Sequence, residues 1–349
     1  MYFAVIDCGT TNSRIYLIND SFELVYKLRS NIGVRDTVIK GSKEYLKKGL
    51  ARLFSEIVKA SNIKAGDISF IIIFGMITSE IGLKEIPHLA APVGLKDLAS
   101  NLVIDINSKV FPNNCPIIYI RGIKNNFNKE NGFNEMEKLD FMRGEETQVF
   151  GLLSTYSKIT LPVVAVILSS HTKYIYIDKL GRICSSITTL SGQLYEALKN
   201  NSSISKSFVI KNENDIKKDL KNSDKKIIQL AYNSLNGSGF LRSLLMPRFL
   251  ELLIDTKLNE RALFINSVIS ADDLKALNDF KHFNYNLHEC NFVIIGNEIR
   301  CKILKYLLEN YFKTKSKPIC IYDEDLIDNL GYQGAISLLK ISGYLSKIS

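Results

Sequence analysis

The sequence predicts an α/β fold made of two similar halves. Three observations carry this. The opening segment shows a β-β-β-α-β order of patterns, a second copy of its first strand and turn begins near residue 165, and 349 residues are more than one hydrophobic core usually fills.

Tyr2–Ile6 is a short apolar run ending at Asp7-Cys8-Gly9-Thr10-Thr11-Asn12. Arg14–Ile18 is a second run and Glu23–Lys27 a third, and with their turns they read as an antiparallel meander. From Lys43 to Lys59 the apolar residues Tyr45, Leu46, Leu50, Leu53, Phe54, Ile57 and Val58 recur at spacings of three and four, one face of a helix. The β-rich run Ile68–Phe74 follows and stops at Gly75. The second half opens alike: Ala165-Val166-Ile167 leads into Ser169-Ser170-His171-Thr172-Lys173, and alternating β-formers follow. Ile183–Thr189 supplies a third strand. Then come strand Phe292–Ile295, helix Glu298–Phe312, strand Ile319–Tyr322 and a helix from Glu324. The polar stretch Asn200–Lys226 reads as a surface excursion, with a helical pattern resuming near Ile227.

Composition narrows the function classes. Hydrophobic residues are 46% and charged residues 23%, which is globular and excludes a disordered or collagen-like chain. The net charge of +9 raises a polyanionic partner, yet the basic residues are interleaved with Asp and Glu, even in the densest stretch, Lys206–Lys226. Small anionic ligands are therefore expected rather than nucleic acid. The six cysteines form no CxxC pair and read as reduced core thiols, not a zinc site or disulfide framework. The N-terminus has no basic n-region, and no apolar run is long enough to cross a bilayer, so a soluble cytoplasmic protein without a membrane partner is expected.

The two hydroxyl-rich turns are the first candidate site. Gly9 lets backbone amides approach a phosphate, and Thr10, Thr11 and Asn12 add donors. Asp7 at the strand end suits Mg²⁺, which favours one or two carboxylates plus phosphate oxygens. Arg14 reads either as a phosphate or ion-pair partner or as a solvated turn residue. Paired with the turn at Ser170, His171, Thr172 and Lys173, this becomes a two-jawed phosphate clamp. GxxxxGK[ST], GxGxxG after a strand, HExxH and GxSxG are all absent.

The most distinctive string is Arg143-Gly144-Glu145-Glu146-Thr147-Gln148. An acidic pair in a helix's first turn suits the helix dipole, which is reason enough for it. A carboxylate there can equally take a proton from a hydroxyl being phosphorylated, with Arg143 clamping a substrate carboxylate. The residues alone leave both readings open.

At this string the sequence resembles the 2-dehydro-3-deoxygalactonokinases, sugar-acid kinases of the hexokinase/actin/Hsp70 ATPase superfamily. The resemblance runs through most of the chain: Ile6–Arg14, Asn31–Val34, Gly75–Ser79, Gly82, Pro87-His88-Leu89, Pro92, Ser170–Lys173, Gly192-Gln193-Leu194, Ser238-Gly239, Arg248 and Ile294-Ile295-Gly296. It implies two RNase-H-like (actin-like ATPase) domains, over residues 1–150 and 151–349, flanking a central cleft. The last helix would pack back on the first domain. The implied reaction moves the ATP γ-phosphoryl group to the C6 hydroxyl of 2-dehydro-3-deoxy-D-galactonate, with ATP and Mg²⁺ as cofactors. A homodimer is a separate expectation that the sequence itself does not fix. Glu145 is implied as base with Glu146 as substitute, and Asp7 as Mg²⁺ organiser. Gly33, Gly75, Met76, Thr78, Ser79 and Arg143 are implied to line the sugar-acid pocket, and Gly296 with Asn297 the adenosine segment.

The chain departs from the family pattern at four places. Ser169 replaces a glycine, Gln193 a glutamate and Leu83 a tryptophan, and Phe264–Ser270 lacks both glycines of its family segment. The departures at Ser169 and Gln193 motivate an alternative, a kinase-fold protein that binds a sugar acid with weakened or lost phosphoryl transfer. A nucleic-acid binder rests on charge alone. His88, His282 and His288 show no partner pattern and read as structural or surface residues.

Overall fold

The computed structural model describes residues 1–112, 115–210 and 220–344. Its first half builds on β1 (Tyr2–Cys8), β2 (Ser13–Asn19) and β3 (Leu24–Ser30), an antiparallel meander, followed by the short helix α1 (Arg35–Lys40) and α2 (Lys43–Ala60). Ser42 caps α2 by accepting from the Glu44 amide at 3.2 Å. The next strand, β4 (Ile68–Gly75), returns parallel to β1. Then follow β5 (Leu89–Ala90), α3 (Leu95–Ser100), β6 (Val103–Asp105), β7 (Ile117–Tyr119), β8 (Ile123–Lys124), β9 (Phe141–Met142) and α4 (Glu145–Thr155).

The second half repeats the plan with β10 (Val163–Leu168), β11 (Thr172–Ile177) and β12 (Ile183–Thr189). Helices α5 (Ser191–Asn201), α6 (Asn222–Ser238), α7 (Phe240–Ile254) and α8 (Leu258–Asp273) intervene before β13 (Asn291–Gly296), α9 (Glu298–Leu307), β14 (Ile319–Ile321) and α10 (Glu324–Ser342). The sheet orders are β3-β2-β1-β4-β7-β6 and β12-β11-β10-β13-β14. Apart from the added edge strand β6, they share one topology: three antiparallel strands, then two parallel to the first. This is the RNase-H-like order that the resemblance implies. A small third sheet, β5-β8-β9, sits beside them.

The central strands of each sheet are buried on both faces, which explains their near-continuous apolar runs. Helices α4 and α10 lie between the sheets. Their Val149, Leu152, Leu330 and Ala335 share one core with Val5 and Ile72 of the first sheet and Ala165 and Val293 of the second. The outer faces are closed by α2, through Leu50 and Phe54, and by α9, through Leu304 and Leu307.

Three sequence expectations shift. The third strand starts at Leu24 and runs on to Ser30, and the helix expected over Glu298–Phe312 is α-helical to Leu307 and closes in a wider π-type turn, Leu308–Phe312. Strands β5 to β9 are two or three residues long, too short to show a period. The expected excursion Asn200–Lys226 is partly core: Ser207 and Phe208 are fully buried, and Arg261 Nε donates to Ser207 O. Its residues 211–219 lie outside the described residues. Among the described residues all six cysteines are free, and no helix is long and apolar enough to cross a membrane.

Candidate active site

The β1–β2 turn is held from beneath. The Gly9 amide donates to Asn12 O at 2.9 Å, while the Val34 and Arg35 amides donate to Gly9 O and Thr10 O. Ser13 Oγ donates to Ile32 O at 2.6 Å. The segment carrying Gly33 thus lies directly on the turn, and a Cβ at Gly33 would stand 2.4 Å from Thr10 O. Thr10 and Thr11 are exposed above this support, and Asn12 Nδ2 donates to Thr11 Oγ1. Gly33 itself is buried, so it shapes the turn and does not face solvent.

At the base of the turn Arg14 Nη1 donates to Asp7 Oδ2 at 3.2 Å, and Arg14 Nε lies 3.1 Å from Asp328 Oδ1 on α10 in an ion pair without hydrogen-bond alignment. Burial raises the Asp7 carboxyl to about 6, with Arg14 pulling the other way and Glu145 and Asp328 adding to the rise.

Two glycines bring the third segment in. Gly75 (φ +91°) ends β4 and Gly144 (φ +114°) precedes α4, both in backbone that side chains rarely adopt. A Cβ on Gly144 would lie 3.3 Å from Gly75 Cα, and one on Gly75 would lie 2.7 Å from Cys8 O and 3.3 Å from Asp7 Oδ1. The ends of β1, β4 and the loop into α4 therefore converge, with Asp7 and Glu145 in one electrostatic neighbourhood.

The acidic pair divides. Glu145 is half-buried, and its Oε2 accepts from the Arg143 amide at 3.2 Å. Glu146 is fully buried and turns back to accept from the Gly144 amide through both oxygens, at 2.9 and 2.8 Å, and from Thr147 Oγ1. Burial, then the Glu145 charge, push Glu146 up to about 7. Glu146 braces the start of the helix, while Glu145 keeps access.

Arg143 is held by the protein. Its Nη1 donates to Thr78 Oγ1 at 2.8 Å and its Nη2 to Ile86 O at 2.9 Å, with His88 Nδ1 3.4 Å away. Thr78 is buried and donates to Gly75 O, and Ser79 Oγ donates to Met76 O in the same tight turn. His88 takes the structural place that is one of its two readings from sequence. Its ring meets that of Phe141 at 5.1 Å, and burial together with Arg143, Lys124 and Lys173 lowers it to about 4, so it stays neutral.

The second turn lines a cleft of about 920 Å³ through Ser169 and Ser170. Ser169 Oγ donates to His171 O and Ser170 Oγ lies 3.2 Å from His171 Nδ1. Gly296 and Asn297 line the same cleft, and Asn297 Oδ1 caps α9 by accepting from the Ile299 and Arg300 amides. Thr172 and Lys173 face away from it. Thr172 is buried against Ser191, and the Lys173 ammonium is spent on Asp140, Phe141 O and Thr188. Val209, Ile210 and Ala262 add apolar lining, and Glu324 and Ile327 of α10, next to Asp328 in the chain, also line it.

A family model described as 2-keto-3-deoxy-galactonokinase matches residues 7–310 of the chain. The chain belongs to the 2-keto-3-deoxy-galactonokinase family. Among solved structures, a candidate 2-dehydro-3-deoxygalactonokinase from Sinorhizobium meliloti is similar over 99% of both chains at 17% identity, with a TM-score of 0.69. The activator of 2-hydroxyisocaproyl-CoA dehydratase from Clostridium difficile, with bound ADPNP, is similar at 10% identity and a TM-score of 0.48, over 100% and 98% of the chains. A glucokinase from Streptomyces griseus, with glucose and AMPPNP, is similar at 7% identity and a TM-score of 0.43, over 96% and 98%. No curated protein matches the chain. The fold is that of the Sinorhizobium meliloti structure.

In this 2-keto-3-deoxy-galactonokinase family member, two participants escaped sequence reasoning: Asp328 and Arg300. Each meets its partner across a long stretch of chain: 314 residues for Asp328 with Arg14 and 128 for Arg300 with Thr172. No local pattern could have found them.

Proposed function

We propose that the protein is an ATP-dependent kinase that phosphorylates 2-dehydro-3-deoxy-D-galactonate on its C6 hydroxyl. Family membership supports the sugar-acid class. The observation that carries the reading is the convergence of Asp7 and Glu145 through the Gly75–Gly144 contact.

The residues fit the two cofactors. The cleft is lined by hydroxyls, a helix N-terminus and apolar side chains, which suits a nucleotide. Asp7 alone is no metal cage, and no cluster of three or more metal-binding side chains occurs among the described residues. One carboxylate is what Mg²⁺ uses when phosphate oxygens complete its shell. Bound there, Mg²⁺ would neutralise charge on the phosphates.

The protein's own part is positioning and proton handling. Thr10, Thr11 and Asn12 on one turn, and Ser170 and His171 on the other, hold phosphates. Glu145 accepts the proton of the attacking hydroxyl, and Glu146 keeps the backbone at Gly144 in place. Arg143, steadied by Thr78 and His88, presents its remaining edge to the substrate carboxylate, with Met76 and Ser79 beside it. Lys173 and Thr172 drop out of the phosphate set, because their polar atoms are already used. The Ser169 hydroxyl itself is folded back on His171 O.

A coupled ADP-release assay across a panel of 2-keto-3-deoxy sugar acids tests this. Glu145→Gln should lower turnover by about 10²–10⁴-fold. No turnover with any acid, while ligand binding is intact, would sink the kinase reading and favour a sugar-acid-binding protein.

A further inference from the structure

Arg300 is the third residue of α9 and belongs to no motif that suggested the function. Its Nη1 donates to Ser169 O at 3.1 Å, and its Nη2 donates to Thr172 Oγ1 at 2.9 Å and Ser191 Oγ at 3.0 Å. The same Nη2 lies 3.9 Å from Asp273 Oδ2, and Asp273 in turn accepts from Thr189 Oγ1. The Arg300 side chain is 15% exposed and that of Asp273 is 5% exposed. One guanidinium therefore ties together both ends of the 169–172 turn, the start of α5, the end of α8 and the start of α9.

This is a costly way to secure a turn. Burying a charged pair carries a desolvation penalty that a well-packed apolar contact avoids. What the charge adds is location, because it sits under the turn whose Ser169 and Ser170 line the cleft, and Arg300 itself reaches the cleft wall. Asp273 offsets the Arg300 charge, so the guanidinium serves the phosphates by holding the turn in a preorganised shape that needs no rearrangement when the ligand arrives. The planar fork also sets the separation of Ser169 O and Thr172 Oγ1, and hence the shape of the turn. Gly192 allows α5 to come in close enough for Ser191 to join: a Cβ there would meet Ser169 O at 2.1 Å.

We propose that Arg300 is a positioning residue for the nucleotide's phosphate tail, acting through the Ser169–Thr172 turn and setting affinity for the phosphates and not for the nucleoside. The proposal rests on the nucleotide reading of the cleft.

Calorimetric titration of the full chain with ATP and with adenosine separates the possibilities, with sugar-acid affinity as the control for folding. Arg300→Met should weaken ATP more than tenfold while adenosine and sugar-acid affinities stay within twofold. Arg300→Lys keeps a charge but loses the fork, so ATP should weaken at least threefold with adenosine unchanged. If Arg300→Met does not fold, the lysine variant decides alone. Equal losses for ATP and adenosine would reduce Arg300 to a structural brace, and unchanged ATP affinity in either variant would overturn the proposal. A wild-type chain that binds no ATP would overturn the nucleotide reading and this proposal with it.

Discussion

Lys173 Nζ stands 3.4 Å from Asp140 Oδ1, and the two side chains are only 5% and 7% exposed. Lys173 directly follows the second turn, and Asp140 lies three residues before Arg143. The pair thus links β11 of the second sheet to the segment that delivers Glu145. Phe141 O and Thr188 Oγ1 complete the set of partners.

Removing one partner of this pair should be severe. Lys173→Met leaves a buried carboxylate uncompensated and is expected to cost about 3–5 kcal/mol. The double variant Lys173→Met/Asp140→Leu should recover much of that loss. Denaturant unfolding of both variants checks this, and equal stability of the single and double variants would contradict it.

Gly75→Ala should damage both stability and turnover. Its φ of +91° disfavours a side chain, and the new Cβ would face Cys8 O at 2.7 Å. Strain alone should cost about 1–3 kcal/mol. Because the clash moves Asp7 relative to Glu145, kcat should fall more than KM rises. Steady-state kinetics on the folded variant would show whether it does.

The acidic pair should respond unequally to amidation. Glu145→Gln removes the proposed base, whereas Glu146→Gln keeps an acceptor for the Gly144 amide and should retain most of the turnover. Comparable losses in the two variants would assign the base wrongly.

Glu146 also gives stability a pH dependence of known sign. Its folded value of about 7 lies above the ordinary 4.5, so the folded state holds a proton that the unfolded state releases. Stability from this group is complete below about 4.5 and declines as pH rises to about 7, on the order of 3 kcal/mol in all. Asp7, raised to about 6, adds loss in the same direction over a lower window. Glu146→Gln should flatten the upper part of the profile, which unfolding at a series of pH values would reveal. In the same way, kcat/KM should rise as pH passes through about 6, where Asp7 becomes a carboxylate.

The sequence showed more of the fold than of the site. Ala4-Val5-Ile6 and Ala165-Val166-Ile167 proved to be the central strands of two equivalent sheets, because a repeated strand and turn leaves a local trace. Lys173 could not be read so directly. In β11 both it and its neighbour Thr172 are buried, since both faces of that strand are covered, and no alternation marks which way either points. Arg143 was found by its motif, but its partners Thr78, Ile86 and His88 come from another part of the chain. The polar stretch after Asn200 misled because its sequence hides how Phe208 enters a core with Ile265 and Val268 of α8.

The placement of α10 has a consequence for biosynthesis. This helix covers the inner face of the first sheet: Tyr16 Oη donates to Asp328 O, the Tyr16 and Tyr332 rings meet at 5.0 Å, and Leu330 joins Val5 and Ile72 in one core. Residues 1–75 leave the ribosome long before residues 324–342 do. Until then the nascent first sheet has an uncovered apolar face, and Arg14 lacks one of its two carboxylates. Vectorial folding therefore cannot finish the first half first, and a chain arrested before Glu324 should bind a hydrophobic dye and be rapidly cleaved by protease within residues 1–75.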